Sequence, residues 1–340
     1  MKLVQALIHR LRFSVLRQIN RRRMTVGIRN DGTTGQILVY VTASPSDMHL
    51  APMAVLTRNP GIRQIILANG LRRKDVAWLR SEAGNVPVIP LRASLRRNST
   101  TYLPHAEVIE LCKSASRSDF CIQDADCFVT ESRWWDQLPC LRAGEFAAGP
   151  FAKQAHMFGM SIPDTFLVMI NSQSYRQREA RGIKPNITTI VPPYVSALLR
   201  RRGIQGEYYP DSYNKYFDTL QLHWTAAILE DDKFRHLPGE DKIVFHVGGT
   251  SYLSGRNGID PSHWDYWPLN TAYFNLKILE SPRFESVRGR FPWLLERYGT
   301  ASRVLDEFPD FSNSQRYRNT IHLLEHFKTY LNDSNDTHEK

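Results

Sequence analysis

Short apolar runs alternate with helix-type segments between residues 37 and 123, and this alternation constrains the fold most strongly. The first run, residues 37–42, is β-branched and continuously apolar, as expected of a strand buried on both faces of a parallel sheet. Similar runs recur at 62–68, 86–91 and 119–123, with helical spacing over 46–58, 74–83 and from about His105. The pattern predicts a parallel, three-layer α/β unit.

The alternation weakens after Trp135. Residues 165–171 and 242–247 are strand-like and residues 218–230 are helical, so we expect this half to complete the sheet. Beyond Trp267 the chain is helical and polar, which predicts a C-terminal helical extension. Core packing is predicted for the tryptophan pair Trp134 and Trp135, and solvation for the charged residues Arg176, Arg178, Arg181, Glu230, Asp231 and Asp232.

The composition excludes several classes of protein. With 42% hydrophobic and 23% charged residues, the chain of 340 residues is too apolar to be disordered. It has no uncharged apolar stretch of membrane-spanning length, and arginines interrupt its N-terminus, so we expect a cytoplasmic protein. The four cysteines show no CxxC spacing and are predicted to be reduced core thiols without zinc: Cys112, Cys121, Cys127 and Cys140.

The positive charge is concentrated at the N-terminus. Residues 1–24 contain seven basic residues and no acid, whereas the net charge of the whole chain is +10. The nearly neutral body argues against a nucleic-acid partner. Apolar residues share one face of a helical wheel here, which predicts peripheral contact with an anionic inner membrane surface through residues 1–24. A helix docked on the body, or a solvated basic arm, is the alternative.

Two carboxylates end the fourth predicted strand. Asp124 and Asp126 are two residues apart, so in extended backbone they point the same way. Ligands of open α/β sheets bind outside the carboxyl ends of the strands. Carboxylates that follow a buried strand are costly unless they meet a cation, and two hard oxygen ligands suit Mg²⁺ or Mn²⁺.

Six segments carry a family resemblance: ILVYVT, the strand ending in ANG, PHAEVIELCKSA, DFCIQDADCFV, the following WW, and VFHVGGTS. In their order and spacing the chain resembles the GT-A glycosyltransferases over roughly residues 36–250, particularly the family 2-like group. The resemblance implies a Rossmann-like GT-A domain with a nucleotide-sugar-binding half, an acceptor half and two flanking segments. The nucleotide-sugar-binding half is expected at 34–150 and the acceptor half at 151–265. The flanking segments are a basic arm at 1–26, joined by a polar linker at 27–33, and a helical extension at 266–340.

The resemblance also implies roles for individual residues. Asp124 and Asp126 would hold the metal, Mn²⁺ or Mg²⁺, on the donor diphosphate, with Asp126 as the direct ligand. Loops after the first two strands hold the base and ribose in such enzymes, which implies a donor-binding role for Thr42, Ser44 and Asn69.

Two further residues have open interpretations. His246 precedes two glycines that would let the backbone approach a diphosphate closely, and the resemblance implies a third metal ligand there; a structural histidine is the alternative. Asp218 lies about where the family places its general base, but an aspartate before Thr219 is also an ordinary helix N-cap. The Glu-Asp pair common in family 2 is absent, which leaves base and stereochemistry open, although an inverting reaction is expected.

The implied function is metal-dependent transfer of a sugar from a nucleotide-diphosphate donor to a glycan or lipid-linked acceptor. A haloacid-dehalogenase-like phosphohydrolase also uses DxD after an apolar strand, but there the motif opens the fold and a Thr or Val stands where this chain has Phe128. A nucleotidyltransferase would need a Gly-rich loop after its first strand, but the segment ASPSDMH contains no glycine. A Rossmann dehydrogenase would need a GxGxxG motif, which the sequence lacks. A non-catalytic nucleotide- or glycan-binding subunit is the remaining alternative.

Overall fold

The structure is a computed structural model that describes residues 2–29, 36–94, 101–138, 140–211, 215–250 and 263–333, with side chains for these except 2–13, 29, 263 and 264. Its strands are β1 Ile37–Ala43, β2 Ile62–Asn69, β3 Val88–Leu91, β4 Phe120–Asp124, β5 Cys127–Val129, β6 Glu145–Gly149, β7 Ala152–Gln154, β8 Ser161–Pro163, β9 Leu167–Ile170, β10 Lys233–His236 and β11 Val244–His246.

The α-helices divide between the sheet layers and a C-terminal bundle. Those before residue 230 are α1 Lys2–Arg29, α2 Ala51–Ala54, α3 Arg73–Glu82, α4 His105–Ala115, α5 Ser172–Ala180, α6 Pro193–Arg201 and α7 Gln221–Leu229. The bundle contains α8 His263–Leu279, α9 Glu285–Arg288, α10 Pro292–Tyr298, α11 Ala301–Glu307, α12 Gln315–His326 and α13 Lys328–Asn332. Short 3-10 helices lie at Ser132–Gln137, Pro282–Phe284 and Pro309–Asn313.

Seven strands form the central sheet in the order β10-β6-β9-β4-β1-β2-β3. All neighbours are parallel except β9, which runs antiparallel to both β4 and β6. The predicted α/β class with a mostly parallel sheet is therefore confirmed. Strands β1 and β4 lie side by side in the middle of the sheet with most of their side chains buried, which explains their predominantly apolar sequences.

The second half departs from the sequence prediction at two elements. Strand β11 does not join the central sheet but pairs antiparallel with β5, because the chain leaves the sheet after Asp124 and β5 offers it a separate ladder. Helix α7 begins at Gln221 rather than residue 218, since Leu220 has left-handed backbone with φ of 65°. The first predicted helix is also only the single turn α2.

The core contains most of the residues predicted for it. Trp134 and Trp135 are both buried, and the Trp134 indole donates a hydrogen bond of 2.7 Å to the Pro238 carbonyl oxygen, so their core prediction is confirmed. Three cysteine thiols are likewise buried. Cys140 is exposed, contrary to prediction, because it lies in the loop before β6.

The charged run predicted to be solvated is partly an internal ion-pair network. Arg178 is buried, and its Nη2 lies 2.6 Å from Glu230 and 2.7 Å from Asp232. This joins α5 to the end of α7, so solvation is a wrong prediction for these three residues.

Helix α1 continues to Arg29, so residues 27–29 are helical rather than a linker, and 30–33 lie outside the described residues. Its C-terminal half packs along β3, the edge strand, and α4. Asn20 exchanges two hydrogen bonds with the Arg92 backbone, and Arg17 forms an ion pair with Glu107. This half therefore matches the alternative of a helix docked on the body. Among the described helices, none combines the length and apolarity needed to cross a membrane.

Candidate metal and substrate site

The two predicted metal ligands lie where the chain leaves the central sheet. Asp124 is the last residue of β4 and pairs with Thr42 of β1. Its backbone N–H donates to the Phe166 carbonyl oxygen at 2.8 Å. Asp126, two residues later, is buried, and its carbonyl oxygen accepts from the Val247 N–H at 3.1 Å. Backbone hydrogen bonds therefore fix both carboxylates at the carboxyl edge of the sheet.

The short ladder of β5 and β11 brings His246 to this edge. His246 pairs with Cys127, the residue after Asp126. Its ring stacks on Phe166 with centroids 3.5 Å apart, which fixes its orientation, and its Nε2 lies 3.5 Å from Asp126 Oδ1. One ligand atom from each of Asp124, Asp126 and His246 lies within 4.8 Å of the others. Two oxygens and one imidazole nitrogen at this spacing fit a divalent cation.

A third carboxylate, on the loop after β1, adds to the local negative charge. Asp47 accepts hydrogen bonds from the Ser44 N–H at 2.6 Å and the Ser44 hydroxyl at 3.0 Å. Burial, followed by the nearby charge of Asp126, raises the pKa of Asp47 to about 8. The same two causes raise the pKa of Asp124 to about 8. Ionised carboxylates this close together repel each other, and a bound cation would relieve that repulsion.

Further titratable groups lie near the three candidate ligands. His105, the first residue of α4, has its Nε2 3.8 Å from Asp124 Oδ1. Burial lowers the pKa of His105 to about 4, while the charge of Asp218 opposes the shift. Burial raises the pKa of Asp164, whose neighbouring charges include Lys153, His246 and Asp218. These mutual interactions place Asp218 within electrostatic range of the cluster.

Asp218 is not the N-cap of α7, because that helix begins three residues later. Its carboxylate accepts from the Thr219 N–H at 2.7 Å, and its own N–H donates to Gln221 Oε1 at 2.7 Å. Asp218 is partly exposed, and its carboxylate has acceptor capacity beyond the one hydrogen bond from Thr219.

The predicted donor-binding residues differ in how far their side chains are already engaged. Thr42 is partly exposed beside Asp124. Ser44 contacts Asp47, as described above. The Asn69 amide is buried and makes two hydrogen bonds, at 2.9 and 2.8 Å, with the Leu103 backbone. Asn69 therefore joins the end of β2 to the segment before α4, and its ribose-binding role stays a prediction.

A buried network behind the cluster joins two of its loops. Asn275 of α8 contacts His49 Nε2 at 2.7 Å and donates to the Thr250 hydroxyl at 3.3 Å. The Thr271 hydroxyl, one turn earlier, is 2.8 Å from the Gly248 carbonyl oxygen. The C-terminal bundle thus holds both the loop that follows β1 and the loop that follows His246.

The glycines after His246 have a structural use here. Gly248 and Gly249 have φ of 71° and 73°, in the left-handed region that glycine adopts readily. A Cβ at Gly249 would overlap the Trp267 indole. The close approach is therefore to α8, and the predicted contact with a diphosphate is untested.

Residues 34–175 match the family model described as the StrH glycosyltransferase N-terminal domain. This segment is similar to a glycosyltransferase domain. It contains β1 to β9 and hence Asp124 and Asp126, whereas Asp218 and His246 lie beyond it. The resemblance to glycosyltransferases is confirmed at this level, and the narrower GT-A family 2 assignment stays a prediction.

Among solved structures, the chain is similar to the glycosyltransferase GlyE of Streptococcus pneumoniae TIGR4, with 10% identity and a TM-score of 0.37 over 83% of this chain. It is also similar to the bifunctional glycosyltransferase WbbM, with 10% identity and a TM-score of 0.34 over 62% of this chain. The chain spans less than two thirds of either structure, 65% and 40% respectively. Among curated proteins, none matches it.

Sequence reasoning missed three titratable residues near the candidate ligands: Asp47, His105 and Asp164. Asp47 had a usable signal, because it follows β1 at the same sheet edge as Ser44. His105 opens the helix after β3, which is a weaker signal. Asp164 precedes an antiparallel strand, and no motif marks it.

Proposed function

We propose that the protein transfers a sugar from a nucleotide-diphosphate donor to a glycan or lipid-linked acceptor, with a divalent cation bound at Asp124, Asp126 and His246. The observation that carries the proposal is the grouping of these three ligand atoms within 4.8 Å at the sheet edge of a glycosyltransferase-like domain. A cation bound there, Mn²⁺ or Mg²⁺, supplies Lewis-acid stabilisation of the departing diphosphate.

The chain's own residues would bind the two substrates on either side of this point. Thr42, which is partly exposed on β1, would contact the donor nucleoside, and the buried Ser44 would lie beside it with its hydroxyl held by Asp47. Asp218 would accept the proton of the acceptor hydroxyl, since it is a partly exposed carboxylate within electrostatic range of His105 and Asp164. A carboxylate base on the acceptor side supports direct displacement with inversion at the anomeric carbon.

The first test is a thermal-shift screen of nucleoside diphosphates with and without Mn²⁺. A ligand at 100 times its dissociation constant stabilises the folded protein by about 2.7 kcal/mol, so a preferred base gives a clear rise in Tm. Sugar release from the corresponding radiolabelled donor then distinguishes an enzyme from a binding subunit. A Mn²⁺-dependent Tm rise without turnover contradicts the transferase proposal, and phosphate release from simple phosphate esters favours the phosphohydrolase.

We expect the metal-free protein to lose stability as the pH rises from about 4 to about 8. Folding raises the pKa of Asp47 and Asp124 from 3.8 to about 8, so in this window the folded state holds protons that the unfolded chain has released. Melting in EDTA across this range measures the effect, and Mn²⁺ should restore more stability at pH 8 than at pH 6. Asp47→Asn keeps an acceptor for the Ser44 N–H and should flatten the profile. If Tm fell equally steeply with pH in the wild type and in Asp47→Asn, the proposed link between Asp47 protonation and stability would be contradicted.

We expect Thr271→Val to weaken Mn²⁺ binding about tenfold, the scale typical of groups that orient metal ligands. Valine has the same shape but lacks the hydroxyl that contacts the Gly248 carbonyl oxygen two residues from His246. Calorimetric titration with Mn²⁺ measures it, and Thr271→Ser should restore affinity. Ser281→Ala, at the end of α8, removes a hydroxyl hydrogen bond remote from that loop and is the matched control. Equal losses in the valine variant and the control would show a general stability effect.

We also propose that α1 brings the protein to an anionic membrane surface. Its eight lysine and arginine residues, with no acid among them, support this interpretation. Deleting residues 1–24 is a poor test, because Leu16, Asn20 and Met24 are buried against the body. Point substitutions on the exposed side of the helix are preferable.

A further inference from the structure

A groove of about 460 Å³ lies between α1 and the edge strand β3. Its apolar lining, called the floor below, includes the half-exposed Val26 and the nearly buried Val88 and Ile89. Its basic lining residues, called the rim below, are Arg22, Arg23 and Arg80. Within the described residues that line it, none carries a carboxylate. The groove therefore combines an apolar floor with an uncompensated cationic rim.

The docking of α1 keeps this groove open toward solvent. Met24 is fully buried and Gly27 contacts Ile89 so closely that a Cβ would clash with that side chain, which fixes one face of the helix on the body. The opposite face remains uncovered, since Val15 is 46% and Val26 51% exposed. Val26 therefore offers accessible apolar surface beside the groove.

The rim arginines are only partly engaged within the protein. Arg23 donates one hydrogen bond to the Pro90 carbonyl oxygen at 2.8 Å, and Arg80 one to Val88 at 3.4 Å. Each guanidinium has five N–H donors, so several remain for a ligand. Burial, and to a smaller extent the nearby positive charge of Arg92, lowers the pKa of Arg23. An anion in the groove would relieve this repulsion.

We propose that this groove seats an anionic phospholipid of a bilayer, with its phosphate on the arginine rim and its acyl chains against Val26, Val88 and Ile89. The charge complementarity of the rim and the apolar floor together favour an amphiphile over a free anion. This inference deepens the membrane proposal for α1 and is independent of the sugar-transfer reaction. It adds β3 and α3 to a membrane surface otherwise limited to the N-terminal helix.

The test is co-sedimentation of the full chain with vesicles of phosphatidylglycerol and phosphatidylcholine, against vesicles of phosphatidylcholine alone. Val26→Asn and Val15→Asn form a matched pair, since both valines lie on α1 with similar exposure and only Val26 lines the groove. We expect Val26→Asn to weaken binding about tenfold and Val15→Asn less than about twofold. Arg22→Gln and Arg21→Gln form the corresponding charge pair, because only Arg22 belongs to the rim.

Each of the following outcomes would contradict the proposal that the groove binds a phospholipid. Equal losses in the two valine variants, or a larger loss for Val15→Asn, would mean that α1 binds the membrane without the groove, so the membrane proposal would stand alone. Equal binding to neutral and anionic vesicles, or no binding at all, would overturn both. Unchanged melting temperatures of the four variants establish that these losses are local.

Discussion

Asp126→Asn is expected to abolish measurable Mn²⁺ binding and to reduce sugar transfer by about 10³-fold or more, the scale of losing a group that stabilises transition-state charge. Asp126 is the buried member of the cluster and lies 3.5 Å from His246. An amide is nearly isosteric but carries no charge, so the site would lose a ligand and a negative charge without a change in packing. Calorimetric Mn²⁺ titration and a radiolabelled-donor assay measure the two effects separately.

Asp306→Asn is the matched control, because Asp306 is an exposed aspartate of α11 in the C-terminal bundle. It should bind Mn²⁺ and turn over like the wild type. Retained Mn²⁺ affinity in Asp126→Asn would show that the ion is held elsewhere. Retained transfer with lost Mn²⁺ binding would show that the reaction does not depend on the metal.

Asp218→Asn is expected to lower kcat by about 10²–10⁴-fold while leaving Mn²⁺ and donor affinity unchanged. The asparagine Oδ1 can still accept from the Thr219 N–H, so the local turn before α7 is preserved. What disappears is the capacity to take a proton from the acceptor hydroxyl. Single-turnover transfer and equilibrium binding of the donor distinguish chemistry from binding.

Asp211→Asn provides the comparison for Asp218. Asp211 belongs to the same polar region, 4.0 Å from Lys153, and has no assigned role in proton transfer. A small effect there with a large effect at Asp218 supports the base assignment. A normal kcat for Asp218→Asn, with or without a change in Tm, would leave Asp218 as a turn residue.

The sequence predicted the centre of the sheet well, and the physical reason is burial on both faces. Strands β1, β2 and β4 lie near the middle of the sheet and are mostly buried, so each contains a short, predominantly apolar run that is typical of a buried strand. Their ends fell within about two residues of the predicted ends. The pair Asp124 and Asp126 was visible for the same reason, since charge follows an otherwise apolar strand.

The second half was harder to predict because its contacts are distant in sequence. Pairing of β11 with β5 places His246 opposite Cys127, and nothing in the spacing of the two segments specifies that ladder. His246 entered as a candidate through the family resemblance, and the structure brings it to the two aspartates; its role as a ligand stays a prediction. The left-handed Leu220, which shortens α7, has no signal in its residue type.

Helix α1 also covers the edge of the central sheet. Strand β3 is the edge strand of the central sheet. A side chain of α1, rather than a further strand, binds its backbone there: Arg23 donates a hydrogen bond to the Pro90 carbonyl oxygen. Chains proteolysed before Met24 would expose this edge with unpaired backbone donors and acceptors, the kind of surface through which two molecules pair strand to strand. Trimmed preparations should therefore self-associate, and a monodisperse sample indicates that the N-terminal helix is intact.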